Sequence, residues 1–208
     1  MPDEPNLNLR VPRNPEGVAL ILHGGADSGQ EPIRPFDHAY LRMLPFAWAL
    51  QRTAGTRLVV GLLRNRVRGW NGAAQDSVAD AHWALERLHQ QFPDLPVGLV
   101  GHSLGGRTAI HVGGYPTVTS VAALAPWIPD STPTDQLAGR RVLLVHGSAD
   151  RITSSAATTI YAARLRLAGV DVTSVKLPGG HTMLRGAADW HGLASRFTAN
   201  ALLGTPVS

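Results

Sequence analysis

The chain contains no cysteine and a single lysine, Lys176, among its 208 residues. Without cysteine it can form neither disulfides nor thiolate metal sites, so packing alone must hold its core. That composition suits a reducing compartment, and a cytoplasmic protein is expected. Long apolar runs are also missing: stretches such as VALIL fall far short of the ~20 residues a membrane-spanning helix needs. The opening MPDEPNLNLRVPRNP carries two acids and four prolines but no apolar core, so it does not read as a retained signal peptide. The 18 arginines outnumber the 15 acids, yet most are scattered singly. A nucleic-acid surface would gather them on one element with aromatics between. Only RNRVR at 64–68 comes close, with Arg140 and Arg141 a distant second. Neither nucleic acid nor membrane is therefore expected as a partner.

What the sequence does contain is the composition of a folded domain, 44% hydrophobic and 16% charged. No repeat, low-complexity tract or linker divides it, so residues 1–208 read as one domain, with 1–16 an extended lead-in. Short apolar runs alternate with longer amphipathic segments, the pattern of an α/β fold. Strands are predicted at 18–23, 57–63, 97–102, 120–125, 141–147 and 172–177. They lack clean alternation, as befits strands covered on both faces. A mostly parallel central sheet flanked by helices on both faces follows. Helices are predicted at 38–53, 75–91, just after Ser103, 154–168 and 187–203. In the second, Val78, Ala81, Leu85 and Leu88 share one face, Asp76 or Ser77 can cap the start, and Pro93 follows the end.

One strand ends in GLVGHSLGG, where Gly101-His102-Ser103-Leu104-Gly105 matches G-x-S-x-G between a predicted strand and a predicted helix. A serine there sits on a strained turn, and the flanking glycines let strand and helix approach closely. The helix start offers free amides to a developing oxyanion. A hydroxyl needs a base, and the base needs an orienting group. LLVHGSADRIT ends a later strand and offers Asp150; VKLPGGHTMLR ends the next and offers His181. Asp130 is the alternative acid, while the dull role for Asp150 is to cap a helix beginning near Thr153. Among the other histidines, His102 should be turned away from the hydroxyl by the strand, and His23 and His146 fit packing or hydrogen-bonding roles at strand ends. No closely spaced metal-ligand set or phosphate-binding glycine loop is present.

The order Ser103, Asp150, His181 resembles the α/β-hydrolase superfamily, and the resemblance runs from about residue 17 to the C-terminal helix. The short chain, with only 15 residues at 125–139 where a lid would lie, is most similar to the small lidless esterase and dienelactone-hydrolase-like branch. The resemblance implies a serine hydrolase that cleaves carboxylic esters or thioesters through an acyl-enzyme, without metal or organic cofactor, on a small-molecule ester. It also implies oxyanion amides at Gly25, within LHGGADSG, and at Leu104, with Ala26 as the neighbouring candidate. Trp70 and Trp127 follow strands and are candidate pocket walls, as Ala26 is, and Arg64, Arg66 and Arg68 are candidate anion attractors; the alternative is a solvated loop with one structural tryptophan, and for Trp127 packing against its loop. The same three residues would serve an acyltransferase, a type II thioesterase or a cofactor-free perhydrolase. A non-catalytic receptor or scaffold would commonly have lost one of them. The superfamily's dehalogenases are disfavoured, because they carry a carboxylate where Ser103 stands.

Overall fold

A computed structural model describes residues 4–204, so the ends of the expected 1–208 domain, 1–3 and 205–208, lie outside the described residues. Seven strands form one sheet in the order β1-β3-β2-β4-β5-β6-β7. These are β1 (Asn6–Arg10), β2 (Gly17–Leu22), β3 (Leu58–Arg64), β4 (Val97–His102), β5 (Val118–Leu124), β6 (Arg141–Gly147) and β7 (Asp171–Leu177). All neighbours pair in parallel except β1, which runs antiparallel along β3 with Asn6 opposite Arg64.

Alternation along the central strands divides two apolar layers. Val18, Leu20 and Leu22 of β2 face one side, while Ala19 and Ile21 face the other. The first layer is closed by α3 (Asp76–Gln91), α4 (Leu104–Val112) and α5 (Ser155–Leu167), the second by α1 (His38–Leu41), α2 (Leu44–Ala54) and α6 (Ala187–Leu203). Each inner strand therefore buries both faces, which is why it reads as a continuous apolar run. Because these strands run parallel, the loops after β4, β6 and β7 lie at one edge, where ligands bind in open parallel sheets.

Three local departures have physical causes. The lead-in contains β1, whose polar and apolar residues alternate because only Leu7 and Leu9 pack against the core. The helix expected over 38–53 is broken between Leu41 and Leu44: Pro45, in the first turn of α2, has no N–H to continue the earlier ladder. Nor do Asp76 and Ser77 cap α3. The residue before it, Gln75, is left-handed, and the Asp76 carboxylate instead accepts from Arg66 and Asn71. Between β5 and β6 the chain makes only a 3₁₀ turn at Asp135–Leu137, leaving that edge without a helical lid. No helix among the described residues is long and apolar enough to cross a membrane.

Because β1 covers the outer edge of β3, removing residues 1–10 should expose an unpaired ladder. Thermal unfolding should move to lower temperature, and light scattering should show concentration-dependent association that the full chain lacks.

Candidate active site

Strand β4 ends at His102 and α4 begins at Leu104, so the chain reverses within one residue. Ser103 takes φ 54° and ψ −115°, a conformation few side chains adopt. Three backbone bonds hold it: Ser103 N–H donates to the Leu124 carbonyl, and its own carbonyl accepts from Arg107 and Trp127. The turn also needs missing side chains. A Cβ on Gly101 would meet the carbonyl of Gly105, and a Cβ on Gly105 would meet the carbonyls of Leu22 and His23, all inside 3.0 Å. No real Cβ contact is that short, so strand and helix cross only with glycine at both places.

The structure brings together the serine, histidine and acid picked out in sequence. Ser103 Oγ lies 2.9 Å from His181 Nε2, and His181 Nδ1 lies 2.8 Å from Asp150 Oδ2. Asp130 does not compete: it is exposed, its carbonyl accepts from Arg164, and its carboxylate has no hydrogen bond among the described residues. The capping role for Asp150 is also displaced, since Ser154 accepts from Ala157 at the start of α5. Asp150 Oδ1 accepts instead from the amides of Ile152 and Thr153, while Oδ2 also faces the Thr153 hydroxyl at 3.0 Å. The carboxylate is wholly covered, and burial alone would raise its pKa. The amides of Ile152 and Thr153 and the adjoining His181 outweigh it and hold the carboxyl below its ordinary range.

Two further histidines stand around this chain, and neither touches the serine hydroxyl. His102 makes no hydrogen bond to it; its Nε2–H donates to the His181 carbonyl at 2.9 Å, with ring centroids 4.9 Å apart. His146, at the end of β6, places Nε2 3.2 Å from Asp150 Oδ2. The signal for both was present in the sequence, because each ends a strand that carries a site residue. Burial lowers the pKa of His102 to about 3, reinforced by the neighbouring His181; burial likewise lowers that of His146.

Beside Ser103, the loops after β2 and β3 are laced together. Ala26 N–H donates to the Arg68 carbonyl at 3.0 Å, Trp70 N–H to Ala26 at 2.9 Å, and Gly69 N–H to Gly29 at 2.9 Å. His23 steadies the first of these loops, donating from Nδ1 to the Gly24 carbonyl while Nε2 accepts from Asn65 N–H. The Ala26 amide is thus engaged. That of Gly25 has no acceptor among the described residues, and that of Leu104, first in α4, has none within its helix. A Cβ on Gly25 would collide with the Arg68 carbonyl and the Leu104 side chain, so the loop lies directly on the helix start.

A cleft of about 270 Å³ opens over Ser103, lined by Gly25, Ala26, Asp27, Leu104, Trp127, Ile152 and Thr153. Trp127 and Ala26 thus stand where the sequence placed them. Trp70 does not: it is 2% exposed and stacks on the Arg107 guanidinium at 3.6 Å, which also lies 4.3 Å from the Trp127 ring. Its bulky ring follows a strand, as a pocket wall would, but the paired loops turn it inward. The arginine loop is chiefly a brace. Arg64 donates to the Ile33 carbonyl, and Arg66 is paired with buried Asp80 and with Asp76. Arg68 alone lines a cavity, a space of about 510 Å³ that shares Gly25 with the cleft and is bounded also by Ile33, Arg34 and Phe36. No group of metal-ligating side chains occurs among the described residues.

The sheet order, the helices on both faces and the serine turn define the α/β-hydrolase fold. Solved structures share it: an α/β serine hydrolase homologue from Coxiella burnetii is 15% identical, with TM-score 0.73 over 93% of this chain and 91% of its own. An α/β serine hydrolase without a lid from Xanthomonas campestris is 17% identical, with TM-score 0.71 over 97% and 91%. Est1E from Butyrivibrio proteoclasticus, solved with ferulic acid bound, is 13% identical, with TM-score 0.70 over 96% of each chain. No protein-family model and no curated protein matches the sequence.

Two outcomes follow from this packing. Gly105→Ala should destabilise the fold by about 3 kcal/mol or more, because backbone carbonyls on β2 cannot move aside; denaturant titration against the unmodified chain measures it. The second concerns acid. Burial keeps His102 neutral down to about 3 and His111 down to about 4, and it lowers His23, His146 and His191 as well. Unfolded, each would take up a proton near 6.5, so the unfolded chain binds more protons throughout the interval below that pH. Stability should be full above it and fall as the pH drops. Thermal melts should show this decline, and His102→Gln, which keeps an amide donor for the His181 carbonyl, should make it shallower.

Proposed function

We propose that the protein is a serine hydrolase of carboxylic esters or thioesters that works through an acyl-enzyme. The observation that carries this reading is the continuous chain from covered Asp150 through His181 to Ser103, at a cleft with two unengaged amides. Ser103 Oγ attacks the acyl carbon as His181 Nε2 takes its proton. Asp150 accepts from Nδ1, which fixes the tautomer and stabilises the imidazolium that forms. The tetrahedral oxyanion receives hydrogen bonds from the amides of Gly25 and Leu104, fixed before reaction by the glycine packing and the loop ladder. His181 then gives its proton to the departing alcohol or thiol. Water enters with His181 as base, attacks the acyl-enzyme and releases the acid, and the proton returns to Ser103.

The missing helix between β5 and β6 supports open access, suited to short acyl esters or to an ester carried on a larger molecule. The absence of cysteine supports a cytoplasmic setting for this chemistry.

Hydrolysis of p-nitrophenyl esters from acetate to palmitate tests the proposal. Turnover should peak at short chains and disappear in Ser103→Ala, and Asp150→Asn should lower kcat by ~10³–10⁴ with the fold retained. Equal turnover by the folded Ser103→Ala protein would overturn the proposal.

A further inference from the structure

The Asp150 carboxylate lies between two histidines, and the catalytic cycle proposed above uses only one. His146 sits at the end of β6, with its side chain 3% exposed and Nε2 3.2 Å from Asp150 Oδ2. The same nitrogen lies 3.3 Å from the Thr153 carbonyl and 3.3 Å from the Thr153 hydroxyl. Every neighbour of Nε2 is thus an oxygen, and two of them, carboxylate and carbonyl, can only accept. On the opposite side of the ring, Nδ1 lies 2.8 Å from the hydroxyl of buried Thr158 on α5. A hydroxyl can donate as well as accept, so one proton placement satisfies both sides. Thr158 donates to Nδ1, and Nε2–H donates to the Thr153 carbonyl with Asp150 Oδ2 3.2 Å from the same nitrogen. The reverse tautomer would set a lone pair against two acceptor-only oxygens in a covered site.

We infer that His146 is a positioning residue: its Nε2–H, set by Thr158, holds the Thr153 turn that grips Asp150 and lies against Oδ2, where the acid can orient His181. The inference rests on the serine-hydrolase reading for its catalytic meaning, and on geometry alone for its placement. Around the carboxylate, His146 comes from β6 and His181 from the loop after β7, with His102 of β4 behind His181. The amides of Ile152 and Thr153 fix Oδ1. Oδ2, the oxygen that meets His181, accepts from the Thr153 hydroxyl, and His146, which donates to the Thr153 carbonyl, lies 3.2 Å from it. Burial favours the uncharged imidazole, so this donor adds no positive charge beside the imidazolium that His181 must become.

The experiment compares the unmodified protein with His146→Leu, His146→Gln and Thr158→Val. Leucine removes the donor, glutamine sets an amide N–H where Nε2–H stood, and valine removes only the hydroxyl that selects the tautomer. Nitrogen-15 histidine NMR of the unmodified protein should show neutral His146 with its proton on Nε2; a proton on Nδ1 would overturn the inference. In ester hydrolysis, His146→Leu should lower kcat about tenfold at unchanged KM, the scale of one hydrogen bond to a charged group. The acid limb of kcat/KM should move to higher pH, because without the neighbouring N–H the carboxylate pairs more strongly with the imidazolium. His146→Gln should restore most of both. A residue that merely fills space would lower melting temperature without moving the pH limb, and an unmoved limb with full kcat in folded His146→Leu would overturn the inference. Should the leucine variant not fold, Thr158→Val should shift the His146 proton toward Nδ1 and lower kcat at constant KM; no change in either would overturn it equally. An unmodified protein inactive on every ester would sink the hydrolase reading instead. The downfield His181 Nδ1–H resonance, expected to shift in His146→Leu, then judges His146 independently.

Discussion

The reversal at Ser103 is the constraint on which the rest of this molecule depends. A buried strand must pass into a buried helix within one residue, and the helix must lie against the neighbouring strand's carbonyls. Gly101 and Gly105 permit the crossing by having nothing to collide, while Ser103 absorbs it at φ 54°. The cost of that backbone angle is of order 1–3 kcal/mol, sustained by burial in the layers on either side. With the turn fixed, the hydroxyl stands out at the strand edge and the first amide of α4 is free.

Around the turn, order is imposed by interactions that never reach a substrate. The loops after β2 and β3 are laced by their backbones, and Arg66 anchors the second to covered Asp80. Arg107, one helical turn beyond Ser103, stacks with both Trp70 and Trp127, so a cleft wall is tied to the helix that Ser103 opens. On the other side, His102 holds the His181 backbone and the turn at Ile152 and Thr153 holds Asp150. A serine, a histidine and an acid from three separate loops meet within hydrogen-bonding distance because each is fastened by hydrogen bonds of its own.

Much of this was legible in the sequence because the signals were local. Inner strands buried on both faces read as apolar runs, and the G-x-S-x-G turn marked itself by its glycines. Asp150 and His181 were found because each follows the end of a strand that reaches the same sheet edge. The sequence did not reveal β1, because a half-exposed edge strand such as NLNLR, beside prolines, looks like a lead-in. Pro45 could be read as a first-turn residue only once the break before α2 was known. For Trp70 and Arg66 the sequence left two readings open, because loop residues take their direction from partners such as Arg107 and Asp80, far away in the chain. His146 was legible as a hydrogen-bonding histidine at a strand end, but its link to Asp150 exists only in three dimensions.

Formation of a covalent adduct on Ser103 tests the central claim most directly. The purified protein should be treated with a fluorophosphonate, its intact mass measured and the modified peptide sequenced. The account predicts one phosphonyl group on Ser103, and none in the folded His181→Ala protein under the same brief exposure. An unmodified Ser103, in a protein whose fold is intact, would contradict it.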